Sequence, residues 1–138
     1  MVVYADRIEI KTREMDIVDI TQGVHDIVAR SGVKEGMANV FCPGSTGAIT
    51  TIEHEPGLMK DLPAALERLA PRDAHYNHEE MWHDGNGHSH VRASIIGPEV
   101  TIPVADGGLR LGTWQQIVFV ECDARERSRT LFVTVTGE

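Results

Sequence analysis

Short runs of β-branched and aliphatic residues, separated by turns, constrain the fold of this chain more than any other feature of the sequence. Residues 7–11 alternate between polar and apolar side chains, which is the pattern of a strand with one solvated face. Similar β-like runs recur along the chain. They cover residues 15–20, 36–42, 48–52, 91–96, 100–104, 116–122 and 129–136. Strands of this number and length predict an antiparallel sheet or sandwich.

Two segments show helical periodicity instead. In residues 21–31 three apolar side chains fall on one face of a helix, and Gly32 follows as a C-terminal stop. A second helix is predicted over residues 55–69, where Pro63 indicates a kink or the start of a second helical segment. The expected fold class is therefore α+β, an antiparallel β-sandwich with two main helices, folded as a single domain over residues 1–138.

The balance of charge excludes some classes of partner. The net charge is −8, which argues against binding to nucleic acid or to anionic membranes, because both need a basic face. A local arginine cluster can still hold a phosphate. Arg125, Arg127 and Arg129 alternate along the last turn and strand, either on a solvated face or as an anion clamp.

Cysteine content and hydropathy favour a cytoplasmic protein. Cys42 and Cys122 each lie in an apolar run outside any Cys-x-x-Cys motif, so reduced and buried thiols are expected. No apolar run approaches the ~20 residues that are needed to cross a bilayer. We therefore expect neither a membrane nor a nucleic acid among the partners of the protein.

Five of the seven histidines fall within sixteen residues of the chain. They are His75, His78, His83, His88 and His90. Imidazole is the commonest protein metal ligand and titrates near neutral pH, so the concentration suggests a site. Residues 74–90 show no clean periodicity, which predicts a long loop of the kind that is often functional. A solvated loop whose histidines contact only water is the alternative.

The spacing of the last two histidines suggests a metal site. If His90 opens a strand over residues 91–96, then His88 and His90 share a face, because strand side chains alternate with period two. A catalytic zinc site needs a third protein ligand and an open position. The candidates for the third ligand are His78, His83, Glu53 and Asp84.

Three further segments can take part in a site, and each also has a purely structural interpretation. Ser45 and Thr46, between two glycines, can bind an anion or form a turn between strands. Glu53 ends a strand and can act as a base or a ligand, or cap the following helix. Residues 112–115, Gly-Thr-Trp-Gln, can orient a ligand or form a tight turn.

These segments, in this order, resemble the YjbQ-like family, a group of small proteins named as secondary thiamine-phosphate synthases. The main matches are residues 100–104 (Val-Thr-Ile-Pro-Val), Gly107, residues 112–115 and Ile117. Supporting matches are residues 46–53, 55–58 and 76–78, Asn86, and residues 88–94. The chain departs from the family pattern at Gly44, where many members carry histidine, and at Glu99, where serine is common.

The resemblance implies an α+β fold around a β-sandwich, assembled as a homotrimer. It also implies a weak transferase activity that joins a pyrimidine diphosphate to a thiazole phosphate. In that reaction pyrophosphate leaves, and the thiazole nitrogen captures the resulting pyrimidine cation. Such a site must stabilise a polyanionic leaving group, with a metal ion or with arginines, and keep water from the cation.

The leading hypothesis is an enzyme that acts on a small phosphorylated molecule, with the histidines directed toward Glu53 and the Gly-Thr-Trp-Gln turn. The predicted catalytic residues are Glu53, His78 and His90. The predicted ligand-binding residues are Ser45, Thr46, Asn86, Thr113, Trp114 and Gln115. The predicted ligands of a divalent metal, zinc or magnesium, are His78, His88 and His90. Two alternatives stay open: a binding module without turnover, and a structural oligomer with histidines at its subunit contacts.

Overall fold

The computed structural model describes residues 1–138, and its strands pair into two antiparallel sheets. The strands are β1 (Val2–Thr12), β2 (Ile17–Asp19), β3 (Gly36–Phe41), β4 (Gly47–Ile52), β5 (Glu99–Ala105), β6 (Gly108–Leu109), β7 (Gln116–Glu121) and β8 (Arg127–Gly137). The larger sheet has the order β1-β8-β3-β5-β6, and the smaller sheet has the order β2-β7-β4. The helices are α1 (Thr21–Ser31), α2 (Leu58–Leu69), α3 (Asn77–Trp82) and α4 (Gly87–Ile96).

The predicted α+β class with antiparallel sheets is confirmed, and α1 has the predicted limits. Gly32 ends α1 in the left-handed conformation, with φ at 75°, which glycine adopts without steric cost. Helix α2 continues through Pro63 as a single element, so the alternative in which a second helical segment starts there is wrong.

The histidine-rich segment differs from the prediction, and the chain has four helices where two main helices were expected. Residues 74–90 contain α3 and the start of α4 in place of a loop, and residues 91–96 continue α4 in place of a strand. The reason is that the buried face of α4 is largely polar. Its buried residues are Gly87, His88, Ser89, Arg92 and Ala93. Their spacing is helical, but most of them are polar, so the segment lacks the apolar periodicity that predicts a helix.

The smaller sheet lies between two hydrophobic clusters. On one side, Ile49, Ile117 and Phe119 pack with residues of α1 and the larger sheet. On the other side, Val118 and Val120 pack with residues of α2 and α4. Strand β7 is therefore covered on both faces, which explains why its sequence is an almost unbroken apolar run.

A buried ion pair ties the two sheets together. Glu121 ends β7 in the smaller sheet, and Arg129 lies in β8 of the larger sheet. Arg129 Nε donates to Glu121 Oε1 at 2.8 Å, and Nη2 donates to Oε2 at 2.5 Å. The Thr12 hydroxyl and the Asp123 backbone N–H donate to the same carboxylate at 2.6 Å and 3.1 Å. The alternative in which Arg129 lies on a solvated face is therefore wrong, since its side chain is only 4% exposed.

Both cysteines are buried and free, as predicted. Burial raises the pKa of the Cys122 thiol to about 12, so this thiol stays protonated at neutral pH and is a poor nucleophile. None of the four helices is long and apolar enough to cross a membrane.

Replacing Arg129 by methionine should lower the free energy of unfolding by about 3–5 kcal/mol, because Glu121 would keep a buried charge without a partner. Urea denaturation followed by circular dichroism measures the change. The matched control is Arg7→Met, which removes an exposed arginine in β1 and should change stability by less than about 0.5 kcal/mol. Equal stability of the two variants would contradict the structural role of the ion pair.

Candidate functional site

Two of the predicted catalytic residues, His78 and His90, lie in contact. His78 lies in α3 and His90 in the first half of α4, and their ring centroids are 4.4 Å apart with the planes tilted by 50°. The turn between the helices contains His83 and Gly85 in the left-handed conformation, with φ at 55° and 70°. Two left-handed residues reverse the chain sharply, and this turn brings the two imidazoles together.

Three polar side chains surround His78 and form with it what we call the His78 cluster: His78, Glu79, Asp84 and Asn86. Asp84 Oδ1 lies 3.1 Å from His78 Nε2. The Asn86 amide nitrogen, in the orientation that satisfies its partners, donates to His78 Nε2 at 3.0 Å and to Asp84 Oδ1 at 2.7 Å. Glu79 Oε1 accepts the backbone N–H of Gly87 at 3.0 Å, which fixes the carboxylate against the start of α4.

The His78 cluster has donor atoms suited to a divalent metal. One ligand atom from each of His78, Glu79 and Asp84 lies within 4.8 Å of the other two. An imidazole nitrogen with two carboxylate oxygens is a donor set that zinc accepts. Asp84 was one of the candidates for the third ligand, whereas the sequence analysis did not propose Glu79.

His88 points away from this cluster. Residues two apart on a helix are separated by roughly 200° around its axis, so His88 and His90 project from opposite sides of α4. His88 is 1% exposed, and its Nε2 has no hydrogen-bond partner. The predicted shared face is therefore wrong, because it depended on a strand. The structure does not bring His88 to the other two predicted metal ligands.

His90 also lines a cleft of about 180 Å³, which we call the His90 cleft. The opposite wall is the turn of residues 44–47, so the structure brings Ser45 and His90 to one site. Gly44 has φ at 105°, a conformation that strains any residue with a side chain. The glycine that departs from the family pattern is thus required by the local backbone.

Thr46 does not face this cleft as a free ligand. Its side chain is buried, and its hydroxyl donates to Asp123 Oδ2 at 3.0 Å and accepts from Arg129 Nη2 at 2.9 Å. Within the chain Thr46 therefore connects the turn to the buried ion pair, and its ligand-binding role stays a prediction.

Glu53 and the Gly-Thr-Trp-Gln turn lie together at the far end of β4. Gln115 Nε2 donates to Thr51 Oγ1 at 3.1 Å, and its Oε1 accepts the Gly112 N–H at 3.0 Å. Strand β4 begins beside the His90 cleft and ends just before Glu53, which separates the two groups by about 17 Å at 3.3 Å per residue. A single chain does not bring Glu53, Thr113, Trp114 and Gln115 to the histidines.

Helix α2 is capped by Glu55 and not by Glu53. The Glu55 carboxylate accepts the backbone N–H groups of Gly57 at 2.8 Å and Leu58 at 2.5 Å. The exposed Glu53 is therefore free of the capping role that was its structural alternative.

The family model described as UPF0047 protein YjbQ-like matches residues 6–138. The chain belongs to the YjbQ-like family. A UPF0047 protein of Methanothermobacter thermautotrophicus is 40% identical over 139 residues, which cover 100% of this chain and 95% of that protein. The UPF0047 protein YugU of Bacillus subtilis is 34% identical over 133 residues, covering 94% and 97% of the two chains.

Solved structures of YjbQ-like proteins confirm the fold. A YbjQ-like protein of unknown function from Sulfolobus solfataricus P2 has a TM-score of 0.94 and 38% identity, covering 99% of this chain and 98% of that one. An uncharacterized conserved protein of the YjbQ/UPF0047 family from Clostridium acetobutylicum has a TM-score of 0.86 and 38% identity, covering 95% and 99%. These similarities establish the family and the fold of this chain.

The buried His88 should make stability depend on pH. Burial, reinforced by the charge of Arg92, lowers the pKa of His88 below its ordinary value, and Glu14, Arg72 and Glu67 also act on it. Since the unfolded chain then binds the proton more readily, the free energy of unfolding should fall as the pH drops below about 6.5.

The variant His88→Asn removes the titrating ring, so it should lose less stability than the wild type between about pH 7.5 and about pH 5.5. Urea denaturation at both pH values measures the difference. His25→Asn, an exposed histidine of α1, is the control. An unchanged pH dependence in His88→Asn would contradict the assignment.

Proposed function

We propose that this YjbQ-like protein is a small-molecule enzyme whose reacting centre is the pair of His78 and His90. The observation that carries the proposal is their 4.4 Å ring contact, with Asp84 3.1 Å from His78 and with the His90 cleft beside them. The Asn86 amide donates to His78 Nε2 and so fixes the tautomer of that ring, and general acid–base catalysis requires an imidazole held in one tautomer.

We propose zinc as the metal of this centre, held by His78, Glu79 and Asp84. The set replaces the predicted one, because His88 faces the opposite side of α4. The imidazole donor favours zinc over magnesium, which prefers oxygen ligands alone. A divalent cation at this position supplies Lewis-acid stabilisation to an anionic leaving group. His90 then remains free to hold or move a proton at the edge of the cleft.

The proposed substrate class is a small phosphorylated molecule, and the proposed reaction is the transfer that the family resemblance implies. The carbon–oxygen bond of a pyrimidine diphosphate breaks, pyrophosphate leaves with the electron pair, and a thiazole nitrogen forms the new carbon–nitrogen bond. In this proposal Ser45, which lines the His90 cleft, donates its hydroxyl to a phosphate oxygen of the substrate. Two buried free thiols fit the proposed cytoplasmic location, without nucleic acid or membrane as partner.

We also propose a homotrimer in which Glu53 and the Gly-Thr-Trp-Gln turn of one subunit meet the histidines of the next. The His90 cleft is smaller than the roughly 300–1,000 Å³ of ordinary small-molecule sites. Both surfaces carry an exposed tryptophan, since Trp114 is 72% exposed beside Glu53 and Trp82 is 70% exposed on α3. Exposed aromatic residues are typical of subunit contacts, and a head-to-tail contact closes into a ring.

The small volume of the cleft favours a second candidate function, a binding module that holds a phosphorylated metabolite or a metal without turnover. A cleft of about 180 Å³ has room for one phosphate group or a small ring and not for two substrates. Saturable binding of either precursor without product would support this function.

Metal analysis tests the proposed ligands. Purified wild-type protein should contain about one zinc ion per chain, and Asp84→Asn should lose most of it because one charged ligand is removed. The control is Asp73→Asn, another exposed carboxylate of the same segment, which should keep the zinc. Protein without zinc, or an Asp84→Asn variant that retains it, would overturn the proposed metal site.

Turnover should require residues of two subunits. Incubation with the pyrimidine diphosphate and the thiazole phosphate should give product, and His90→Gln or Glu53→Gln should each lower its rate by about 10²–10⁴-fold. His75→Gln, an exposed histidine outside the His78 cluster, should retain the wild-type rate.

Co-expression of the His90→Gln and Glu53→Gln chains should restore part of the activity, since a mixed trimer contains some sites with both native residues. Product that never recovers in mixed assemblies would rule out a shared site. Wild-type protein that gives no product would rule out the proposed reaction.

A further inference from the structure

The turn that forms one wall of the His90 cleft carries backbone N–H groups without acceptors. The chain bends at residues 44–46, and the N–H groups of Gly44, Ser45 and Thr46 donate to no atom of the chain. The run ends inside the protein, because Thr46 is only 4% exposed. Buried backbone N–H groups are nearly always paired, so this run indicates an acceptor from outside the chain.

Gly47, the next residue, directs its N–H toward the same wall. The Cys122 N–H donates to the Thr46 carbonyl at 3.0 Å, on the edge of β4 that faces β7. The Ile49 N–H donates to the Gly97 carbonyl at 3.1 Å, on the opposite edge. Backbone groups alternate between the two edges of a strand, so the Gly47 N–H points to the side where no strand pairs with β4. Gly47 lines the His90 cleft, and its N–H is a fourth donor there.

One guanidinium nitrogen of Arg129 also lacks an acceptor. Nε and Nη2 donate to Glu121 and Thr46, whereas Nη1 makes no hydrogen bond within the chain. Nη1 lies 3.5 Å from the position that a Cβ would take at Gly44, and outside the adjoining residues no other atom lies within 4 Å of that position. Because Gly44 has no side chain, open space borders Nη1 at a residue that lines the His90 cleft. The side chain of Arg129 is only 4% exposed, so this nitrogen needs an acceptor that binds in that space.

The surroundings have balanced charges but a surplus of hydrogen-bond donors. Arg127 and Arg129 pair with Asp123 and Glu121 in the buried network, so net charge alone attracts no ligand. Every oxygen of the two carboxylates already accepts at least one hydrogen bond. No carboxylate lines the His90 cleft, so none competes there for the free donors. A group that accepts several hydrogen bonds at once fits this arrangement.

We propose that the N–H groups of residues 44–47 and Arg129 Nη1 form an oxyanion site that binds one phosphate group of the substrate. Successive N–H groups in a turn form an anion-binding concavity, and a phosphate has enough oxygens to accept from all of them. The cleft of about 180 Å³ has room for one such group. The inference rests on the proposed function in one respect, that the phosphorylated substrate occupies the His90 cleft. It needs neither zinc nor turnover.

A titration of the whole protein with inorganic phosphate, followed by backbone amide NMR in metal-free buffer at fixed ionic strength, tests the proposal. The amide protons of residues 44–47 should move downfield and saturate together, because each gains an acceptor. The amide of Gly107, which already donates to the Lys34 carbonyl at 3.1 Å, is the internal control and should not move. Saturable shifts confined to other residues, or no saturable shift, would overturn the proposal.

A pair of conservative variants tests the guanidinium. Arg129→Lys keeps the charge beside Glu121 but has one nitrogen in place of three, so it should bind phosphate about tenfold or more weakly than the wild type. The matched control is Arg127→Lys in the same buried network, whose partner is Asp123, and its affinity should stay within about twofold. Equal phosphate affinity of Arg129→Lys and the wild type would contradict the role of Nη1.

The same titration separates this site from the proposed reaction. Wild-type protein that forms product but shows no phosphate shifts at residues 44–47 would overturn the oxyanion site and leave the reaction standing. Phosphate shifts at these residues without product would support the site and rule out the reaction. Phosphate binding that appears only after zinc is added would place the anion on the metal, and the proposal would fail.

Discussion

The ion pair between Arg129 and Glu121 connects the two sheets at the end of the molecule where its candidate sites lie. Neither side chain reaches water, so each remaining donor and acceptor must be satisfied inside the protein. The Thr12 hydroxyl and the backbone N–H of Asp123 donate the remaining hydrogen bonds to the Glu121 carboxylate. The Thr46 hydroxyl accepts one from the Arg129 guanidinium. This one buried network positions both the turn that carries Ser45 and Asp123, whose carboxylate accepts from Arg127 Nη1 at 2.6 Å.

Local patterns predicted the elements whose packing is apolar. Helix α1 has an apolar face and a glycine stop, and β7 is an almost unbroken apolar run because both of its faces are covered. The one charge inside that run, Glu121, was a usable signal, since a carboxylate in a buried strand requires a partner. The identity of the partner could not be predicted, because Arg129 reaches Glu121 only after two sheets have packed face to face.

The candidate site was predicted less completely, and the helix α4 explains why. Its buried positions hold His88 and Arg92, so the polar residues that suggested a loop are the ones that pack inward. A strand over residues 91–96 would place His88 and His90 on one face, whereas helix α4 places them on opposite sides of its axis. His78, Asn86 and His90 do come together, while the contribution of Glu79 depends on a turn between two helices that no sequence period indicates.

The polar buried face of α4 affects how easily this helix opens. A helix that buries mainly a histidine, a serine and an arginine gains little from the removal of apolar surface from water, and two of its buried polar atoms have no partner. Segments with few apolar contacts open at lower free energy than the strands of a core. Helix α4, which carries His90, should therefore open at lower free energy than the strands of the two sheets, with the hydrogen bonds of Arg92 to Ala70 and Glu67 as its main attachment.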